Sequence, residues 1–302
     1  MRGHFEAAGG KNLERFFRQW IRAKGAPELE LTGAAYENFQ NEYRIALTVS
    51  QKQERPLYHM TLPVAVWVEG SDKPHLENLI LKSQPKQTLR LFVPGQPRAV
   101  MLDPYYDVFR KLDPRETPPS IGQTYGADKA VAVISRQEEP SLRQAYTRFV
   151  EGLRTPATLT NKAGNWKSPN TSLWLFGRDN PAARDLQPGL KDFGVSLADD
   201  GVTIEGKKFP WQEHSFMFTL PHPNNPGRTA TWIIADNPPS VPGLMRKLPH
   251  YGKYGVLVFK GNAPTNVYKN TWPARRIGLM KMFKEGKYKF PKRPPLVDFK
   301  PE

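Results

Sequence analysis

The chain has 302 residues, of which 38% are hydrophobic and 30 are prolines; it has no cysteine and carries a formal net charge of +15. That length suits one large domain or two, and proline at about twice its usual ~5% share excludes a long helical bundle or coiled coil. The lack of cysteine excludes a disulfide scaffold, a thiol nucleophile, an iron–sulfur cluster and any cysteine-ligated zinc site, and no apolar run approaches the ~20 residues that cross a bilayer.

The opening Met-Arg-Gly-His-Phe-Glu is not read as a signal peptide, because no apolar stretch follows the basic residue. The first element is a helix. Leu13, Phe16, Phe17, Trp20 and Ile21 form one apolar stripe at helical spacing, with Asn12 to cap its start and Gly25 and Pro27 to stop it. A lone helix cannot bury so aromatic a face.

From about Glu28 to Asp103 the period changes to two. Tyr43–Val49, Leu57–Leu62, Val64–Val68, Leu76–Leu81 and Thr88–Val93 read as short strands separated by turns, with no helix between them. This pattern predicts an antiparallel β-sandwich.

Beyond Asp103-Pro104 strands and helices alternate. Lys129–Ile134 is an unbroken apolar run, as in a strand buried on both faces. Leu142, Ala145, Tyr146, Phe149 and Val150 then share a helix face. Ser172–Phe176 reads as a strand, and Ala182–Leu190 as a helix capped by Asn180 with Pro181 in its first turn. Ser215–Leu220 and Thr229–Ala235 are strands joined by loop 221–228, Pro242–Leu248 a short helix with Ser240 as cap, and Gly255–Phe259 the last strand. Thr155–Pro169 is polar and reads as a loop. The expected class is α+β and multidomain: a helix in 1–27, an antiparallel β-sandwich in 28–112, and an α/β domain with a largely parallel, Rossmann-like or flavodoxin-like sheet in 117–270. Residues 271–302 are expected to be an extended, basic, Pro/Lys-rich tail, with a net charge of +6 over 270–302.

Chemistry is sparse. The six histidines include no pair four residues apart, as a helical zinc site needs, and Gly-x-Ser-x-Gly, Gly-x-Gly-x-x-Gly and Walker sequences are absent. Two candidate ligand sites remain. Gly177-Arg178-Asp179-Asn180 follows a strand at a helix start, where Arg178 could meet an anion; the plainer reading is a turn capped by Asp179 and Asn180. Loop 221–228 offers His222, Asn224, Asn225 and Arg228 around three prolines, although Asn and Gly are also what a tight reversal requires. The stretch 280–290 interleaves lysines with rings, as in a nucleic-acid or membrane grip, but its glycine and the prolines after it break any amphipathic helix.

Several ordered stretches resemble a known family. Asn12-Leu13-Glu14-Arg15-Phe16-Phe17-Arg18-Gln19-Trp20, then Gly25-Ala26-Pro27, is similar to the point where M1-family (gluzincin) zinc aminopeptidases leave their catalytic domain. Val49-Ser50-Gln51, Leu62-Pro63-Val64 and Leu102-Asp103-Pro104-Tyr105-Tyr106-Asp107-Val108-Phe109-Arg110 look like the region downstream in bacterial members. The resemblance is fairly specific over about 12–112 and softer over 117–270. The family's His-Glu-x-x-His…Glu and Gly-x-Met-x-Asn motifs are nowhere in the chain, so no catalytic or metal-binding residue carries over.

The resemblance implies a non-catalytic C-terminal accessory region of a zinc aminopeptidase, one that braces the catalytic domain and gates substrate, with zinc and peptide substrate belonging to a catalytic domain expected to precede Met1. Phe16, Phe17 and Trp20 would dock on that domain. An exported bacterial protein is implied, and no enzyme activity or cofactor is expected of this chain alone. The alternative is a module that binds an anionic ligand or nucleic acid through the α/β domain and tail, with nucleic acid the less favoured partner.

Overall fold

The computed structural model describes residues 1–160, 162–273, 278–286 and 288. They divide into two units, one made of Met1–Asp113 with the described residues from 278 onward, the other of the described residues of Pro114–Arg275.

The first unit opens with α1 (Arg2–Gly9) and α2 (Glu14–Phe17), after which Arg18–Arg22 continues as a π-helix. Asn12 Oδ1 accepts the Glu14 amide at 2.8 Å, as expected of a helix-start residue. Six strands follow: β1 (Leu29–Phe39), β2 (Glu42–Gln51), β3 (Met60–Val68), β4 (His75–Leu81), β5 (Lys86–Val93) and β6 (Pro97–Leu102). One antiparallel sheet has the order β1-β2-β5, and β6-β3-β4 run side by side in another. Alternation turns Ile45, Leu47, Val49, Leu89, Leu91 and Val93 inward from the first sheet. They join Leu62, Val64, Val66, Val100 and Leu102 of the second in one core. Each such side chain contributes about 1.5–3 kcal/mol by leaving water.

The runs 57–62 and 64–68 merge into the single strand β3, which passes through Pro63. Its ladder with β6 ends at Val64–Leu102, so the missing amide of Pro63 breaks no bond on that side.

In the second unit α3 (Ile121–Tyr125) precedes β7 (Ala130–Ile134), α4 (Pro140–Glu151), β8 (Ala157–Leu159), α5 (Ala163–Trp166) and β9 (Ser172–Phe176). Then come α6 (Gln187–Lys191), β10 (Val195–Ala198), β11 (Gly201–Ile204), β12 (Lys207–Pro210), β13 (His214–His222), β14 (Asn225–Ile234), α7 (Val241–Lys247), β15 (Val256–Lys260) and β16 (Thr265–Asn270). The main sheet has the order β16-β15-β13-β14-β9-β7-β8. It is mixed: parallel from β8 through β7 and β9 to β14, antiparallel from β14 through β13 and β15 to β16.

Both sheet faces are covered. Tyr146, Phe149 and Val150 of α4 pack with Leu244 of α7 and Ile121 of α3 on one face. On the other, Leu186 and Leu190 join Val202, Ile204 and Phe209 of the small β10-β11-β12 sheet. This double cover explains why the strands read as continuous apolar runs.

Several elements differ from expectation. The supposed loop 155–169 contains β8 and α5. The helix expected over 182–190 is instead a 3-10 turn, Pro181–Asp185, followed by α6. Pro188 lacks an amide and so falls in the first turn of a new helix rather than inside a longer one. Asn237, rather than Ser240, caps the approach to α7, accepting the Ser240 amide at 3.1 Å.

The chain then returns to the sandwich. β17 (Met280–Met282) pairs antiparallel with β6, so the second sheet becomes β17-β6-β3-β4. Leu279 is buried in the sandwich core, and the Phe283 ring lies 4.9 Å from that of Tyr36, edge to face. The described part of the expected tail is therefore structural, because its apolar residues enter the core and its backbone pairs with an open strand edge. The rest of that segment, 287 and 289–302, lies outside the described residues.

Candidate functional site

The parallel half of the main sheet has a switch point. From β7 the connection runs to β8 on one side, whereas β9 lies on the other, so their carboxyl ends flank the crevice where α/β sheets bind ligands. Gly177 to Asn180 occupy this place. Gly177 has φ +95°, and a Cβ there would stand 2.6 Å from Glu138 Oε1. That carboxylate accepts the Arg178 amide at 2.7 Å. The chain thus supplies its own anion to the N–H that an external one would use. The Arg178 guanidinium lies 4.4 Å above the Trp211 ring and donates to the Asp199 carbonyl at 3.2 Å. The Asp179 carbonyl accepts from Ser135 Oγ. Asn180 is buried, its Nδ2 donating to the carbonyls of Val133 (2.8 Å) and Phe176 (2.9 Å) and its Oδ1 accepting the Ala182 amide. These contacts make a capped turn that ties β7 to β9.

Loop 221–228 closes the β13–β14 hairpin, at the amino end of β14 and hence at the opposite end of the parallel strands. The structure does not bring the two candidate clusters together. His222 is 2% exposed; its Nδ1 accepts the Asn224 amide at 3.1 Å, and its Nε2 makes no hydrogen bond. Burial holds this imidazole below its ordinary pKa, with the Trp166 backbone carbonyl acting in the other direction. Asn224 and Asn225 donate to the carbonyls of Lys167 (2.8 Å) and Pro169 (2.7 Å). Arg228 pairs with Asp128, which lowers the pKa of that carboxylate. The loop's polar groups fasten neighbouring turns.

The N-terminal helical segment has a fixed side and an open side. Gln19 clamps the His59 backbone, with Nε2 donating to its carbonyl at 2.8 Å and Oε1 accepting its amide at 2.9 Å. Trp20 packs on Tyr58, with ring centres 5.2 Å apart, and partly covers the sandwich core. Phe16 and Ile21 stay exposed at 52% and 63%, and Phe17 is half-buried between the rings of Phe5 and Phe16.

No family model matches the chain, and no curated protein matches it. Among the described residues, no group of three or more His, Asp or Glu is placed to hold a metal ion, and no helix is long and apolar enough to cross a membrane.

One feature escaped the sequence reading. A cleft of about 670 Å³ is lined by Lys247, His250, Tyr251, Lys253, Tyr254 and Lys269. Its sequence signal is the interleaving of base and ring over 247–254, a pattern also present over 280–290. Lys269 comes from β16 and joins the group only through the β15–β16 pairing.

Proposed function

We propose that this chain is a non-catalytic accessory region of an M1-like zinc aminopeptidase, bracing the catalytic domain and limiting substrate access. The observation that carries this reading is the two-sided N-terminal segment. Gln19 and Trp20 hold it on the sandwich, while Phe16 and Ile21 present apolar surface at the point where the family resemblance places the end of the catalytic domain. Of the three docking residues expected from the sequence, Phe16 and Phe17 stay in the docking surface, joined by exposed Ile21, whereas Trp20 packs on Tyr58 and anchors the segment instead. Zinc and peptide substrate are held by the catalytic domain, and no residue of this chain takes part in the chemistry.

The DNA preceding Met1 tests the parent directly. An in-frame His-Glu-x-x-His is expected there, and an in-frame stop codon close upstream would overturn the reading. The chain by itself is expected to release no nitroaniline from aminoacyl-nitroanilides; release abolished by a chelator would contradict a non-catalytic role.

A further inference from the structure

We propose that the lysine–tyrosine cleft of the α/β unit is a binding site for a compound carrying two or more neighbouring phosphate groups. Three lysines and His250 line it, and no carboxylate does. Some lysines elsewhere pair with acids, as Lys111 with Glu28, Lys208 with Asp200 and Lys260 with Glu213; the cleft differs in gathering three lysines in one concavity with no acid in its lining. Lys247, Lys253 and Lys269 have no such partner among the described residues. Several cations gathered without a counter-charge favour an anion between them.

Two of the cations sit beside tyrosine rings. Lys253 and Lys269 Nζ stand 5.3 and 5.7 Å from the centre of the Tyr254 ring, and Lys269 is also 6.0 Å from that of Tyr251. Lys247 Nζ donates to the Pro264 carbonyl, which leaves its other protons available. The ammonium groups thus cluster beside the two tyrosine rings, where an anion can meet more than one of them. Tyr251 in turn lies edge-to-face on buried Phe259, at 5.6 Å.

The floor is rigid. The amides of Ile121 and Gly122 in α3 donate to the carbonyls of Tyr254 (3.0 Å) and Gly252 (2.9 Å). A Cβ on Gly122 would stand 2.6 Å from the Gly252 oxygen, so the two backbones meet at a distance only glycine permits. A site organised before binding loses less entropy when it is filled.

Tripolyphosphate is the probe, titrated calorimetrically into the full chain. Saturable binding is expected, weakening as salt rises because the contacts are charged. Lys253→Glu with Lys269→Glu is expected to weaken it by at least about tenfold, as charge-assisted contacts of this kind require. Lys208→Glu, on the small sheet, is expected to leave it unchanged, with circular dichroism confirming that each variant is folded. Absence of saturable binding, or equal binding by the double variant, would overturn the proposal. Vesicles carrying phosphatidylinositol bisphosphate separate the two sources of this chemistry. Co-sedimentation that tripolyphosphate reverses assigns the cleft to a lipid headgroup, and tripolyphosphate binding without co-sedimentation assigns it to a soluble oligophosphate.

Discussion

Arg110 Nε donates to Asp103 Oδ2 at 2.8 Å, with the two side chains only 1% and 0% exposed. The other carboxylate oxygen accepts the amides of Asp107 (2.7 Å) and Val108 (3.2 Å), and the Asp103 amide donates to the Pro63 carbonyl. One buried carboxylate therefore folds the segment that follows β6 back on itself. Removing either partner breaks a buried ion pair, which costs up to about 3–5 kcal/mol. Asp103→Ala and Arg110→Ala should each lower the urea midpoint accordingly, and the double variant should lose clearly less than the two single losses combined.

His222 gives the α/β unit a predicted pH dependence. The unfolded imidazole titrates near about 6.5, and burial places the folded one lower. Between those two values the unfolded state binds more protons, so stability is full above the unfolded pKa and falls as pH drops toward the folded one. Urea unfolding followed through Trp fluorescence should show this loss, and His222→Leu should flatten it. An unchanged slope in the variant would assign the acid-side loss to other groups.

Gly177 should not accept a side chain. Its positive φ and the 2.6 Å and 2.9 Å approaches to Glu138 Oε1 and Ser135 Cβ leave no space for a methyl group. Gly177→Ala is expected to cost about 1–3 kcal/mol through backbone strain and displacement of Glu138. A thermal melt of the variant reads this out directly.

Trp20 and Phe16 should separate anchoring from docking. Trp20→Ala removes a ring packed on Tyr58 and should destabilise the chain by about 1.5–3 kcal/mol. Phe16→Ala, at a position half open to water, should change stability by no more than about 0.5 kcal/mol. In the proposed parent enzyme the order should reverse for domain association, with Phe16 the more sensitive position in a limited-proteolysis assay of the interdomain junction.

Local patterning carried most of the fold. The alternation in 43–49 and 88–93 became β2 and β5, and the apolar runs at 130–134 and 172–176 became β7 and β9. The face formed by Leu142, Tyr146, Phe149 and Val150 is the buried side of α4. Short or mixed segments were not legible. β8 is three residues long, and the small β10-β11-β12 sheet is held by one apolar face that has meaning only against Leu186 and Leu190.

The candidate site was less legible for a related reason. Asn180 was readable as a cap because capping is a local bond, but its two further bonds, to Val133 and Phe176, depend on strands meeting at the switch point. Glu138, which fills the Arg178 amide, lies forty residues away in the chain and gives no local sign of that role.

The sequence by itself determined the class of each unit, the positions of β2, β5, β7, β9 and α4, and the lack of any familiar catalytic motif, since period, capping and composition act over a few residues; it did not place the eleven-residue β1 or α1. Tertiary structure alone decided that Met280–Met282 rejoins the sandwich, that Arg178 and His222 stand at opposite ends of one sheet, and that Lys269 meets Lys253 across a tyrosine ring. Those outcomes depend on pairing between residues distant in the chain, where the gain comes from burying shared surface rather than from any local preference.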